Sequence, residues 1–515
     1  MTAMVWLVAA LLVATMASGA WCAADVGRGH AQLTWPTAAA LAVVAAVGIA
    51  LRYLLVPPHH AMYLDEPWYA EAACHLARGG RPELCVQTWA GPQCADYGKA
   101  LGWPIAIAPW AWLGGCATTI GIELNRLLGS ATVLLVALAA RGAGCGWWQA
   151  IAVAAILAVH PTHVGWSATG ETNIAAAAAL LAGTCGALRY LRRGRTAGAA
   201  LAVAGLALAT AVRPESLLAV LAAALVVGVG ADAAPRSRLT VAALIAGAGL
   251  AAALSALPLW SMNTSISGGA FLALGNLPAA LAQLAGGPAV RVHGVVLALA
   301  VAGAIGLARR QAAAAALLLG TGLAVALAVL AYDRFDQRML LAATVVLLPL
   351  GAAAFESAGR YRTVVAAAAV IAVALLWLDG LRGLARPAET QWLETRAAER
   401  AAAVSLSADA LIVAAQPTVL GAGGRLAMPA GEALGDGERL AGMVAAGQPV
   451  YFFCDMFCEP GFAGGAGRDA CAALFARFTL TPVVEEALHG RTYGLYRLGL
   501  LEEGAAPPAC PRGAR

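Results

Sequence analysis

Long uncharged apolar runs decide most of what this chain can become. Stretches such as VAALIAGAGLAAALSALPLW and AAAAALLLGTGLAVALAVLA hold 20 residues without a charge, about the length of helix that crosses the hydrocarbon core of a bilayer. They recur along 515 residues that are 61% hydrophobic and only 12% charged, whereas soluble domains carry about 25% charged residues. One soluble core cannot hold this much apolar helix, so the chain reads as a polytopic α-helical membrane protein.

Twelve spans are expected, near residues 3–20, 35–56, 123–140, 147–164, 172–190, 197–212, 216–231, 239–258, 290–308, 312–331, 338–355 and 363–379. The first run lacks a basic leader and reads as a helix rather than a cleaved signal. Every second loop carries arginine: Arg28; Arg141; Arg189, Arg192, Arg193 and Arg195; Arg236 and Arg238; Arg309 and Arg310; Arg360 and Arg362. Basic loops mark the cytoplasmic side, so the net charge of +5 reports topology and gives no reason to expect a nucleic-acid partner. The remaining loops then face outward from a bacterial inner (plasma) membrane: residues 57–122, the turns near Glu171 and Glu215, the loop from 259 to 290, YDRFDQR, and everything after about Asp379.

Three parts follow from this layout. Residues 1–384 form the transmembrane domain, within which 57–122 is a large external loop with interfacial helices; 385–500 form a small external soluble α/β domain; 501–515 form a disordered tail. Inside the loop, GKALGWPIAIAPWAWLGG carries two prolines, and counting it as a span would put the arginine loops on alternating sides. It reads as an interfacial or re-entrant helix whose Trp103, Trp110 and Trp112 suit the membrane–water boundary. The C-terminal part alternates apolar strands (ALIVAA, PVYFFC, YGLYRL) with helices (GERLAGMVAAG, ACAALFARF). Of eleven cysteines, Cys74, Cys85, Cys94, Cys454, Cys458, Cys471 and Cys510 fall on the outward side, where disulfides persist. Cys85 with Cys94 is the first expected pair, and Cys458 with Cys471 or Cys454 the next.

Asp65 and Glu66 are adjacent carboxylates beginning the helical pattern DEPWYAEAACHLA, beside a membrane. A helix cap explains one acid there but not two, and ionised groups near a bilayer are mostly retained for partners or chemistry. Such a carboxylate can act as general base toward a hydroxyl or amine that attacks a sugar carbon. A departing phosphate would need fixed positive charge, and Lys99, Arg213, Arg334 and Arg338 break the positive-inside pattern on the same face. Arg213 with Glu215 as a local ion pair is the plainer alternative for one of them.

These residues resemble a known family. LDEPWYAEAACHLARGG resembles the first external loop of the GT-C glycosyltransferases, polytopic enzymes that include protein O-mannosyltransferases, lipid A aminoarabinose transferases and the RgtA/B/C/D-like group. DYGKALGWPIAIAPWAWLGG is similar to the family's Lys-Pro-Pro-Leu segment, with Lys99 kept and both prolines lost. VHPTHVGWSATGETNIAAAAALLAG is similar to its second acidic helix-loop-helix, with Glu171 where Asp is commoner. GLALATAVRPESLLAV and DQRMLLAATVVLLPLGA resemble its Arg/Lys-Pro and late Arg-Tyr segments. The matches run in order through residues 40–355. The resemblance implies a GT-C-like fold and inverting transfer from a polyprenyl-phosphate sugar to an envelope glycan, lipid or protein. It implies Asp65 as base, Glu66 and Glu171 as supporting acids, and Lys99 and Arg338 on the donor phosphate. Arg213 joins them as a donor-phosphate candidate by its charge on the same face, and Tyr69, Tyr97, His163 and Arg334 are expected in the substrate pocket.

No cofactor is required by this reading. A divalent metal is the alternative, for which His59 and His60 are the nearest ligand types. A twelve-helix transporter or flippase is the alternative function; the absence of an internal repeat counts against it.

Overall fold

The computed structural model describes residues 15, 34–60, 65–230, 235–254, 273–286, 289–332, 336–458, 465–488, 490–502 and 510. The expected span 3–20 apart from Thr15, Arg334, residues 259–272 and 287–288 of the 259–290 loop, and most of the C-terminal tail lie outside them. In chain order the first half contains α1 (Trp35–Ala50), α2 (Asp65–Ala77), the hairpin β1 (Glu83–Thr88) and β2 (Gly91–Asp96), α3 (Gly102–Gly114), α4 (Ile120–Gly142), α5 (Trp147–Ala158), α6 (Pro161–Ser167), α7 (Thr172–Arg193) and α8 (Thr196–Val212). There follow α9 (Leu217–Val229), α10 (Pro235–Ala253), α11 (Leu277–Gly286), α12 (Ala289–Ala308), α13 (Ala312–Leu330), α14 (Leu341–Ser357) and α15 (Arg362–Ala403). The C-terminal elements are β3 (Leu411–Ala414), α16 (Thr418–Gly421), β4 (Met428–Pro429), α17 (Ala430–Gly435), α18 (Gly437–Ala445), β5 (Val450–Cys454), α19 (Gly465–Phe475), β6 (Phe478–Leu488) and β7 (Arg491–Leu500).

Two compact units result: residues 1–56, 98–106 and 124–384, and residues 57–97, 107–123 and 385–515. Among the described residues of the first, six helices are long and apolar enough to cross a membrane, or seven if the α5–α6 pair, bent by 61°, counts as one span. That is fewer than the twelve expected: the first lies outside the described residues, and the helices at Thr196–Val212, Pro214–Val229 and His293–Ala308 are shorter. Inside this unit α7 and α14 are almost wholly buried, whereas α1 and the start of α15 turn apolar side chains outward. An outward apolar face is what lipid contact asks for.

The pairing of α7 with α8 shows how sequence sets packing here. A Cβ on Gly183 would lie 2.6 Å from the Leu206 nitrogen, and one on Gly205 would lie 2.6 Å from the Gly183 nitrogen. The two backbones touch along this glycine seam. Lipid tails are as apolar as the helices, so association in a bilayer rests on close van der Waals contact, which small residues permit.

The second unit carries a five-stranded sheet of order β4-β3-β5-β7-β6, with β3 parallel to β4 and β5, and β7 antiparallel to β5 and β6. Side chains alternate across a strand with period two. Leu411, Val413, Phe452, Tyr496 and Leu498 therefore pack on one face with Ala433, Leu440, Leu474 and Phe475 of the helices. Ile412, Ala414, Phe453, Tyr493 and Leu495 pack on the other with Leu393, Ala397 and Ala401 of α15. Helices cover both faces, which is why β3 and β5 are apolar throughout.

The loop expected as part of the transmembrane domain is instead built into this unit. Gln87 N–H donates to Ala427 O (3.0 Å), Trp89 Nε1 to Glu432 O (3.0 Å) and Trp68 Nε1 to Thr418 Oγ1 (3.0 Å). Disulfides join Cys85 to Cys94, Cys454 to Cys510 and Cys458 to Cys471. The first and third pairs are among those expected, with Cys471 rather than Cys454 as the partner of Cys458; the second ties the tail at Cys510 to β5.

Candidate functional site

Asp65, Glu66, Tyr69, Tyr97, His59 and His60 belong to the second unit; Lys99, Glu171, Arg213, Arg338 and His163 belong to the first. In the second unit α2 begins with the acidic pair, which complements the positive helix N-terminus. Successive helical residues diverge by about 100°, so the two acids meet different surroundings. Asp65 is half-buried. Glu66 is 2% exposed, and its Oε2 accepts from His60 Nδ1 at 3.0 Å. The pair expected from sequence is thus divided: one carboxylate is reachable and one is sealed against a histidine. His60 Nε2 has no hydrogen-bond partner among the described residues, and His59 Nδ1 is spent on Pro57 O at 2.9 Å. Tyr69 and Tyr97, both buried, meet edge to face with ring centres 6.4 Å apart.

One turn further along α2, Glu71 was not singled out from sequence. Its Oε1 accepts from Cys85 N–H at 2.7 Å, and a Cβ on Gly421 would come within 2.5 Å of its Oε2. Burial pushes this carboxyl up to about 7, partly opposed by the Cys85 N–H. The spacing of three to Cys74 puts Glu71 on the same helix face as that buried cysteine, which was the available signal. Two groups of ligand-type atoms lie within 4.8 Å of one another among the described residues, Glu71 with His75 and Cys85, and Glu83 with Cys85 and Cys94. Both count Cys85, whose sulfur is already bonded to Cys94, so neither offers a thiolate for a metal.

In the first unit the cations differ sharply from one another. Arg213 Nε donates to Glu215 Oε1 and its Nη1 to Asn173 Oδ1, both at 2.6 Å. Its guanidinium, expected on a donor phosphate, is engaged by the local ion pair. Arg338 is different: it is 7% exposed, its Cζ sits 4.8 Å from the centre of the Trp166 ring, and its Nε and Nη1 have no hydrogen-bond partner among the described residues. Lys99 is 8% exposed. Glu171 caps α7 through Thr172 N–H (3.2 Å), while Asn125 Nδ2 donates to its carbonyl at 2.6 Å.

His163, expected in a substrate pocket, is fully buried and bonded through Nδ1 to Arg52 Nη2 at 2.7 Å. Arg52 is a site residue the sequence reading missed. It ends α1 in a single turn of π-helix, is 0% exposed, and also donates to Ser167 Oγ (3.3 Å) and to the carbonyls of Gly48 (2.7 Å), Ala158 and Leu157 (3.4 Å each). A basic residue at the end of an apolar span was the signal. From α6 the network continues through His160, whose ring centre is 5.3 Å from that of His293; His293 Nδ1 in turn meets Thr344 Oγ1 at 2.8 Å. The Nε2 atoms of His160, His163 and His293 have no hydrogen-bond partner among the described residues. A polar bed rich in nitrogen donors therefore lies within a unit of apolar helices.

No family model matches this sequence, and no curated protein does. The fold does have relatives among solved structures. ArnT from Cupriavidus metallidurans bound to undecaprenyl phosphate matches with a TM-score of 0.54 at 14% identity, over 92% of this chain and 98% of that one. Its apo state gives 0.55 at 14% identity, over 91% and 99%. The Archaeoglobus fulgidus oligosaccharyltransferase with a tethered acceptor peptide gives 0.50 at 12% identity, over 77% and 64%. The chain has the GT-C glycosyltransferase fold that its motifs resemble.

Proposed function

We propose that this protein is an integral membrane glycosyltransferase that moves a sugar from a polyprenyl-phosphate-linked donor to an envelope glycan, lipid or protein acceptor. The transfer takes place on the external face of a bacterial inner membrane. The observation that carries the reading is Arg338: a buried guanidinium with two nitrogens lacking a hydrogen-bond partner among the described residues, in an apolar helical unit. A cation so placed favours an anionic partner, and a planar guanidinium suits phosphate oxygens. The match to ArnT bound to undecaprenyl phosphate supports the same ligand class. The three disulfides of the second unit support its external placement, because such bonds persist in oxidising compartments.

Asp65 removes the proton from the acceptor hydroxyl or amine as that atom attacks the anomeric carbon. The bond from that carbon to the phosphate oxygen breaks on the opposite side, inverting the configuration, and the phosphate leaves with the polyprenyl carrier; Arg338 and Lys99 of the first unit are the cations suited to such a phosphate. Glu66, sealed on His60, holds the start of α2 rather than taking the proton. Asp65 is the better base of the two because it is reachable. Reconstituted full-length protein supplied with lipid-linked sugars tests this reading. Sugar transfer that survives in a folded Asp65→Asn variant would sink it.

A further inference from the structure

The end of the helical unit opposite Glu171 and Arg338 is rich in arginine. Five connections meet there, α4–α5, α7–α8, α9–α10, α12–α13 and α14–α15, and contacts join all of them. Arg192 Nη1 donates to the Arg141 and Gly142 carbonyls at 3.1 Å each. A Cβ on Gly144 would lie 2.3 Å from Gln311 Nε2, and one on Gly230 would lie 3.0 Å from Leu191 Cδ2 and 3.4 Å from Ala313 Cβ. Arg310 Nη1 reaches Glu356 Oε2 at 2.7 Å. From its Glu171 cap α7 runs 22 residues to Arg193, about 33 Å at 1.5 Å per residue. This end therefore lies about one hydrocarbon thickness from Glu171.

Eleven arginines occupy these connections and the helix turns that enter them, eight of them exposed. The one carboxylate among the described residues there is Glu356, already taken by Arg310. Orientation in a membrane accounts for arginines gathered on one side. It does not account for the near absence of acids, because Asp and Glu contribute little to that rule. Like charges left uncompensated on an exposed face repel one another, and an anionic neighbour relieves them. Trp148 and Tyr361 stand at the same end, 57% and 56% exposed, and rings of this kind sit at headgroup level. The guanidinium of Arg360 stacks over Tyr361, Cζ 4.9 Å from the ring centre; stacking engages its face and leaves its edge for oxygen acceptors.

We propose that this arginine end is a docking surface for anionic phospholipids of the leaflet it faces, which it holds by their phosphate oxygens. A guanidinium presents a planar fork that matches two such oxygens, and every basic residue of this end is arginine. A zwitterionic headgroup brings an ammonium along with its phosphate, and the arginines repel it; a headgroup of net negative charge brings none. The inference is independent of the proposed sugar transfer, because the lipid docked here is a membrane neighbour at the far end of α7 from Glu171 and donates nothing.

The test takes the full-length protein in a neutral detergent, supplies phosphatidylglycerol and phosphatidylcholine in equal amounts, and counts retained lipid by native mass spectrometry. Phosphatidylglycerol is expected to be retained roughly tenfold or more over phosphatidylcholine at low salt. It should be released near 1 M salt, where screening acts within about 3 Å. Replacing three exposed arginines on separate connections, Arg236→Gln, Arg309→Gln and Arg362→Gln together, should lower retention roughly a hundredfold, at about fivefold for each arginine near an anionic surface, with the melting temperature unchanged. If the triple variant melts lower, Arg309→Gln alone decides, with about a fivefold loss expected. Arg338→Ala should retain phosphatidylglycerol as the wild type does. Equal retention of the two lipids overturns the proposal, as does wild-type retention in the arginine variants. Loss of retention in Arg338→Ala overturns it by placing the lipid at the other end, and displacement by millimolar inorganic phosphate overturns it by making this end a site for the free ion.

Discussion

Glu66 Oε2 and His60 Nδ1 lie 3.0 Å apart with both side chains shut off from solvent, 0% and 1% exposed. Asp65, the next residue along, is half-buried. One helical step thus separates a sealed acid from a reachable one, and under the proposed transfer the two substitutions should separate accordingly. Asp65→Asn is expected to lower transfer by about 10²- to 10⁴-fold, the span of general-base contributions, at an unchanged melting temperature. Glu66→Gln keeps an acceptor for His60 and should lose less than about tenfold. Rates from one reconstituted preparation decide it; equal losses would remove the distinction.

His60→Ala attacks the same pair from the other side. It leaves the buried Glu66 carboxyl without this hydrogen bond, a change that costs about 1 to 3 kcal/mol when a buried polar group loses its partner. A clear fall in thermal stability is expected, larger than that of His59→Ala. Scanning fluorimetry of the two purified variants is the comparison.

Arg338 should act through the lipid phosphate. Arg338→Lys keeps the charge and loses the planar fork, and Arg338→Ala loses both. Affinity for a polyprenyl phosphate is expected to fall in that order, by roughly tenfold and roughly a hundredfold, as charge-assisted hydrogen bonds of about 1.5 to 3 kcal/mol are removed. Native mass spectrometry or thermal shift with the lipid reads it. Lipid binding untouched in Arg338→Ala would remove the phosphate role.

Glu71 makes stability depend on pH. Burial raises its carboxyl from an ordinary 4.5 to about 7 in the folded state, so the folded protein binds this proton more tightly than the unfolded chain. The group's contribution is therefore fully present below pH 4.5 and is lost as pH rises to about 7, beyond which it is flat. Glu71→Gln preserves the acceptor for Cys85 N–H and should flatten the decline between pH 5 and 7, about the window of the shift. Melting curves of the two proteins across that range carry the test.

Arg52 is expected to matter for assembly rather than chemistry. Its donors reach His163, Ser167 and three carbonyls, a fan that a lysine ammonium cannot reproduce. Arg52→Lys should cost about 1.5 to 3 kcal/mol, seen as a lower melting temperature in detergent. A wild-type melting temperature would show that the network is dispensable.

Much of this protein was legible because a bilayer imposes its length on sequence. The apolar runs announce α4, α7, α13 and α14 directly. The apolar strands β3 and β5, covered by helices on both faces, stand out for the same reason. Elements stabilised by distant partners were hidden. β6, which ends in PVVEEAL, is exposed over much of its length and owes its form to β7. The hairpin of β1 and β2 carries only its Cys85–Cys94 pair as a signal. At the candidate site the acids were visible as charges out of place, but their division was not, since His60 meets Glu66 through the fold of the chain. Arg213 shows the opposite failure: its partner Glu215 is two residues away, and the local pair prevails.

The glycine seam between α7 and α8 also sets how this gene can change. Any single-base substitution that replaces a glycine codon by another amino acid's introduces a side chain, and a Cβ at Gly183 or Gly205 meets backbone at 2.6 Å. Neither position has a neighbouring codon it can drift to without parting two helices. Lineages carrying this seam are expected to alter the lipid-facing sides of the helices freely while these two codons vary only in the third base.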